Sequence, residues 1–306
     1  MNNIDIFITV FTPTYNRANT LGRVYKSLCE QTYKNFEWII VDDGSTDNTK
    51  EIVNGFIKNS KFVIKYYYQN NSGKHNAINR AVELANGSMM VIADSDDSFL
   101  PESFKVLLKY WNMASASEKA NLKGITCRCI SENGNLIGNK NIDDPYMDVC
   151  ELDIRFKYDL GYEMWGMVRV DVLKEYPFPN IEGLRFYPEC IIWNRIARKY
   201  KTRYINKGLR MYFQDQENAT MHSQSSSRAK ENYFMWKHYL NEVSDYFKYD
   251  PKLFIKSAVG IVRDGVLTKR TIGSIFKDLN VFSMKCLTAI FMPVGMVLAY
   301  KVRKSL

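Results

Sequence analysis

Trp38-Ile39-Ile40-Val41-Asp42-Asp43-Gly44-Ser45-Thr46-Asp47 is an apolar run that ends abruptly in carboxylates, a glycine and hydroxyls. An apolar stretch of strand length closed by turn residues reads as a strand buried on both faces, the kind found in parallel sheets covered by helices. Working outward, residues 36–41 form that strand and 46–59 the helix behind it, with Ile52, Val53 and Phe56 inward. On the N-terminal side, residues 4–11 read as a strand, and 19–31 as a helix with Leu21, Val24 and Leu28 at helical spacing behind an Asn19 or Thr20 cap. On the other side come a strand at 62–68, a helix at 74–85 and a short strand at 89–93. Repeated strand–helix units with short connections predict an α/β fold with a mostly parallel sheet flanked by helices. In such sheets ligands bind at the carboxyl ends of the strands.

Those ends are polar. The first strand runs into Thr12-Pro13-Thr14-Tyr15-Asn16-Arg17, the second into Asp42-Asp43-Gly44, and the fourth into Asp94-Ser95-Asp96-Asp97. Carboxylates two residues apart at a strand end can present oxygens to a hard cation such as Mg²⁺ or Mn²⁺, whose open positions suit the oxygens of a nucleoside diphosphate. A solvated acidic turn capping the next helix is the other meaning of the same residues, and Asp42-Asp43-Gly44 likewise reads as a plain turn. No GxGxxG follows the first strand and no GxxxxGK[ST] occurs, which removes the dinucleotide and P-loop readings.

The 306 residues suffice for one large α/β domain with an appendage, and 46% hydrophobic with 14% aromatic residues excludes a disordered chain. Cysteines at 29, 127, 129, 150, 190 and 286 lack the CxxC spacing of a zinc ribbon; Cys127 and Cys129 alternate along an expected strand as buried thiols. The N-terminus lacks a signal-peptide profile, so reduced thiols and a cytoplasmic location are expected. Of the net charge of +9, residues 251–306 supply +8, and the same segment holds residues 286–300, which carry no charge. That stretch is short for a span and contains Pro293 and Gly295. With Lys285 before it and Lys301, Arg303 and Lys304 after it, an interfacial helix on an anionic membrane is expected, with an ordinary packed helix as the alternative. No nucleic-acid motif accompanies the charge.

Taken in order, the motif from Phe11 to Arg17, Gln31-Thr32-Tyr33, the motif from Trp38 to Asp47, Asn76-Ala77-Ile78-Asn79 and Asp94-Ser95-Asp96-Asp97 resemble family 2 glycosyltransferases. The likeness is close over the first hundred residues and looser to about residue 215. It implies a GT-A fold: a glycosyltransferase domain at 1–225, with a nucleotide-binding half (1–100) and an acceptor half with a lid (101–225), and a basic helical region at 226–306. It implies inverting transfer of a hexosyl or N-acetylhexosaminyl group from a nucleotide sugar, UDP-linked by likeness, with Mn²⁺ or Mg²⁺. The acceptor would be a glycan or lipid-linked saccharide at the inner membrane face, in capsule, O-antigen or exopolysaccharide assembly. By the same likeness Pro13, Thr14 and Tyr15 line the base pocket, Asp43 meets base or ribose, and Arg17 lies near the nucleotide. Asp94, with Ser95 beside it, serves the ribose side, Asp96 the cation, and Asp97 the acceptor or the surroundings of the metal. Lys74 opens a helix near this edge and either approaches the donor or is simply solvated.

An inverting transfer also needs a base for the acceptor hydroxyl. The family's acid pair falls at Pro188-Glu189-Cys190, where only Glu189 is acidic, so Glu189 is the expected base, with Glu182 or Glu163 as alternatives in another register. Trp165 lies where acceptors bind in this family, or else in the core; residues 214–228 read as a lid, with His222 as a metal or phosphate contact or a surface histidine. The thinned acid pair leaves a catalytically silent sugar-nucleotide binder or scaffold as a rival, and a nucleotidyltransferase would need a glycine-rich phosphate loop that is absent here.

Overall fold

Strands β1 (Ile8–Thr14) and β2 (Phe36–Asp42) are buried almost throughout, as their mostly apolar sequences require. In this computed structural model residues 6–304 are described, apart from 139, 141, 143–144, 161–162 and 214–227. The chain divides into two compact units, Met1–Tyr187 with Ile192–Gln214, and Pro188–Ile191 with Asp215–Leu306.

In the first unit, β1 pairs in parallel with β2 and with β4 (Met89–Ile92), and β2 with the edge strand β3 (Val63–Tyr68). The order β3-β2-β1-β4 means that the chain leaves β1 in one direction for β2 and β3 and returns on the other side for β4. The carboxyl end of β1 is therefore a topological switch point, where open α/β sheets hold their ligands. Helices α1 (Leu21–Glu30), α2 (Thr49–Asn59) and α3 (Lys74–Leu84) make the crossovers; α1 buries Leu21, Val24 and Leu28, the stripe expected from its spacing.

Beyond β4 the sheet continues through β8 (Met164–Arg169), β6 (Leu122–Ile130), β9 (Lys201–Met211) and β5 (Ser98–Phe99), while β7 (Tyr146–Val149) pairs with β9. Helices α4 (Ser103–Asn112), α5 (Ala116–Asn121), α6 (Glu151–Phe156), α7 (Val170–Glu175) and α8 (Glu189–Ala197) fill the connections. Antiparallel joins β4–β8 and β6–β8 make this half mixed. Strand β9 is bent along its eleven residues. The β6–β9 register slips between Cys127 and Cys129, where Cys127 faces Ile205 but Cys129 faces Arg210. Such bulges re-aim the residues that follow them. Cys127 and Cys129 are buried, as expected, and burial pushes the Cys129 thiol up to about 11.

The second unit contains α9 (Ala229–Glu242), α10 (Pro251–Leu267), α11 (Ile272–Lys277) and α12 (Phe282–Lys304). Asp250 caps α10 through the Leu253 N–H (3.1 Å), and the buried Asp264 accepts from the Trp236 indole (2.8 Å) and from Arg263 (2.7 and 2.8 Å). Helix α12 runs through Pro293, which is exposed, so the uncharged stretch is part of one continuous helix. At 23 residues it is about 35 Å long, enough in length and composition to cross a membrane. One stripe, Met284, Thr288, Gly295 and Ala299, is buried; at Gly295 a Cβ would sit 2.7 Å from Val262 Cβ and 2.8 Å from the Val259 carbonyl, so only glycine permits this approach to α10. The opposite face exposes Phe282, Ile290, Val294, Val297 and Tyr300.

Candidate functional site

The ends of β1 and β2 are latched to each other. Asp43 N–H donates to the Thr14 carbonyl (2.8 Å), Asn16 N–H to Ser45 Oγ (2.8 Å), and Thr46 N–H to Asn16 Oδ1 (2.8 Å). Asn16 takes a left-handed conformation (φ 52°), which asparagine tolerates better than most residues. Asp42 accepts from Ser45 N–H (2.8 Å) and from the Tyr66 hydroxyl (2.6 Å), so it belongs to the scaffold. Asp43 is buried and accepts at Oδ1 from Gln69 Nε2 (2.8 Å) and Ser72 N–H (2.9 Å), and at Oδ2 from Gly73 N–H (2.8 Å). Gly73 has φ 95°, and a Cβ there would lie 2.0 Å from the Arg185 carbonyl oxygen, so glycine is what lets this loop present its N–H. A carboxylate oxygen has room for two donors, which leaves Oδ2 one further acceptance.

On the other side of β1, Ala93 N–H donates to the Phe11 carbonyl (2.8 Å) and the chain enters the acidic loop. Asp94 pairs with Lys74 Nζ (2.7 Å). Burial works to raise its pKa, but Lys74, Arg210 and Arg17 outweigh it and hold the carboxyl below its ordinary value. Asp97 turns inward: its Oδ2 accepts from Asp94 N–H (3.0 Å) and pairs with Arg210 Nη1 (3.3 Å). Burial, opposed by Arg210 and aided by the Asp94 charge, raises its pKa. Ser95 is buried. Asp96 is half-buried, and among the described residues no hydrogen bond or ion pair engages its carboxylate. Tyr15 stands 49% exposed at the end of β1, while Thr14 is buried and Pro13 and Arg17 are half-buried beside it.

The structure thus brings Pro13, Thr14, Tyr15, Arg17, Asp43, Lys74 and residues 94–97 to the carboxyl ends of neighbouring strands and the start of α3. Trp165 needs correction as an acceptor contact: it is 5% exposed, donates its indole N–H to the Ile92 carbonyl (2.9 Å) and stacks on Phe99 with centroids 4.6 Å apart, so no ring face is left for a sugar. Glu163 pairs with Arg210, and Glu182 is an exposed loop residue. Glu189 opens α8, half-buried, and belongs with Pro188–Ile191 to the second unit. His222 and the lid expected at 214–228 lie outside the described residues except for Arg228. Arg210 was not anticipated; the only available signal was the surplus of carboxylates over cations in the loop at 94–97, which calls for a cation from elsewhere in the chain.

For a divalent cation the donor chemistry fits. Asp94 and Asp96 offer hard oxygens, and Mg²⁺-type ions are commonly held by one or two carboxylates together with substrate phosphates. Among the described residues no group of three or more His, Cys, Asp or Glu could hold a metal without such outside ligands.

Residues 9–117 match Glycosyl transferase family 2. An uncharacterized glycosyltransferase of Haemophilus influenzae is 30% identical over 190 residues, covering 60% of this chain and 71% of its own. One of Rickettsia conorii is 29% identical over 211 residues, 67% of this chain; the match covers only 32% of that relative's length. Among solved structures, S. aureus TarS 1–349 in complex with UDP-GlcNAc has a TM-score of 0.65 at 16% identity, covering 98% of this chain and 92% of that one. The mannosyltransferase PcManGT from Pyrobaculum calidifontis in complex with GDP-Man and Mn²⁺ has a TM-score of 0.53 at 16% identity, covering 97% and 83%. With five ordered motifs on a nine-stranded α/β sheet and a relative matched over most of its length, this chain belongs to the family 2 glycosyltransferases and has their GT-A fold.

Proposed function

We propose that the chain transfers a sugar, with inversion, from a UDP-sugar to a glycan or lipid-linked saccharide acceptor in cell-surface polysaccharide assembly, working at the inner face of the cell membrane. The observation that carries the donor assignment is the acidic loop at the switch point, where Asp94 and Asp97 are engaged by cations and Asp96 is left unengaged. The UDP-GlcNAc held by TarS and the GDP-Man and Mn²⁺ held by PcManGT support a nucleotide-sugar donor with a divalent cation.

In this assignment Pro13, Thr14 and the exposed Tyr15 ring receive the base, and the remaining acceptance of Asp43 Oδ2 meets an imide or ribose donor. Asp94 and Ser95 serve the ribose side, Arg17 and Lys74 bring positive charge to the diphosphate, and Asp96 would hold Mn²⁺ or Mg²⁺. When bound, that ion neutralises charge on the departing diphosphate. Glu189 takes the proton of the acceptor hydroxyl as its oxygen bonds to the anomeric carbon. The bond from that carbon to the diphosphate oxygen breaks on the opposite face, and the nucleoside diphosphate leaves with the electron pair.

A panel of nucleotide sugars, scored for Mn²⁺-supported donor hydrolysis, tests the assignment: turnover of a UDP-sugar is expected. Glu189→Gln should keep donor binding and lose transfer. Donor binding without turnover by the parent would favour the silent binder suggested by the single acid at 188–190.

The membrane placement rests on α12. Its bare face of Phe282, Ile290, Val294, Val297 and Tyr300 has Lys285 near one end and Lys301, Arg303 and Lys304 at the other, the charge pattern that anionic phospholipid attracts. Because the opposite stripe is packed on α10, the helix is suited to lying along the surface. Co-sedimentation with phosphatidylglycerol vesicles, absent with phosphatidylcholine, is expected; a stable dimer with no vesicle binding would assign the face to a second copy instead.

A further inference from the structure

We infer that Arg210 is a positioning residue for the cation site, holding the acidic loop so that Asp96 is the carboxylate it presents; this rests on the donor assignment proposed above. Residues 94–97 are tied at both ends, and of their three carboxylates only that of Asp96 is left unengaged among the described residues. The Trp165 indole holds the Ile92 carbonyl at the entry (2.9 Å), Lys74 holds Asp94 (2.7 Å), and the Asp97 N–H closes the turn on the Asp94 carbonyl (3.0 Å). At the exit, β5 pairs with β9, with Phe99 opposite Arg210. From that register position the Arg210 side chain returns to Asp97 Oδ2 (3.3 Å), and its other terminal nitrogen binds Glu163. One planar guanidinium thus joins the loop to the start of β8, a geometry that a lysine ammonium does not reproduce.

Stability does not explain this pair. The Arg210 and Asp97 side chains are each 5% exposed. Burying such a pair costs desolvation, and apolar residues of the same volume commonly serve stability equally well. What the pair supplies is orientation. With Asp97 turned inward by Arg210 and by the Asp94 N–H, the loop has a fixed curvature, and Asp96 is its one carboxylate without a partner among the described residues.

The test is calorimetric titration of UDP into the full chain with and without Mn²⁺, reading the ratio of the two affinities. Arg210→Met removes the tether but strands Asp97, so the decisive protein is the double variant Arg210→Met/Asp97→Asn. It removes both charges and keeps an acceptor for the Asp94 N–H. Its thermal midpoint is expected to stay near the parent's and its metal-free UDP affinity to stay within about twofold, while the gain from Mn²⁺ falls by about tenfold or more, as is typical when the support of a metal ligand is lost. A double variant with the parent's full gain, or one that loses metal-free and metal-supported binding in equal proportion, overturns the assignment. If the parent chain itself gains nothing from Mn²⁺, the donor assignment falls and takes this inference with it; a parent that gains while the variant also gains sinks this inference alone.

Discussion

The rim of the sheet and the outer face of α12 treat unsatisfied groups in opposite ways. At the rim the carboxylates are nearly all answered: Asp42, Asp43, Asp94 and Asp97 have donors at 2.6–3.3 Å, leaving the half-buried Asp96 as the exception among the rim carboxylates of the described residues. On α12 apolar side chains stand in water, with Phe282 79% and Ile290 71% exposed. A buried polar group without a partner and an exposed apolar stripe each cost free energy, so what each region leaves unmet indicates what it binds. In the function proposed above, that is a cation with a diphosphate in one place and a lipid surface in the other.

The comparison breaks first if answered carboxylates prove dispensable. Glu37 is the extreme case: it is buried and accepts from Thr9 Oγ1 (2.9 Å), Asn86 N–H (2.8 Å), Asn86 Nδ2 (2.9 Å) and Lys65 Nζ (2.7 Å). Glu37→Ala should cost about 3–5 kcal/mol in urea unfolding, since it strands Lys65 and several donors. Burial works to raise the Glu37 pKa, but its partners lower it below the ordinary value. A depressed carboxylate stabilises the fold above the unfolded pKa and loses that contribution as pH falls through the folded one. The parent should therefore shed this part of its stability only in acid below the ordinary glutamate range, and Glu37→Gln should lack that portion of the pH dependence.

Asp96→Ala should do the converse, leaving the thermal midpoint unchanged while lowering Mn²⁺-supported donor turnover by roughly a hundred- to a thousandfold. A smaller effect is expected at the α10–α12 contact: Gly295→Leu forces the helices apart and should cost about 1–3 kcal/mol by chemical denaturation. Smallest is Ile290→Ser with Val297→Ser, which should weaken partitioning onto phosphatidylglycerol vesicles by about tenfold while changing stability by no more than about 0.5 kcal/mol. Lost stability with retained partitioning would make that face a protein contact.

Much of this contrast was legible before any coordinates. Period and apolar runs place β1 to β4 and the crossover helices within a few residues, because a strand buried on both faces has few other solutions. The motifs at the strand ends likewise locate the rim. Which carboxylate is used up and which is left could not be read, because it depends on donors distant in sequence: Asp43 is held from residues 69–73, and Asp97 from Arg210, 113 positions away. Trp165 misled for the same reason, since an aromatic suited to a sugar is equally suited to covering the Ile92 carbonyl and Phe99. The bend in β9 is not legible in sequence, because a bulge breaks the alternation by which strands are recognised. Pro293 suggested an interruption of α12, yet on the exposed side a missing N–H is tolerated.

The most direct test of the central claim is a count of Mn²⁺ bound per chain by electron paramagnetic resonance, with UDP present and absent. One ion per chain is expected in the presence of UDP, far weaker binding without it, and loss of that ion in Asp96→Ala, since the loop offers a single unengaged carboxylate and the diphosphate would have to supply further ligands. Manganese bound equally well by Asp96→Ala, or none bound by the parent with UDP, would contradict it.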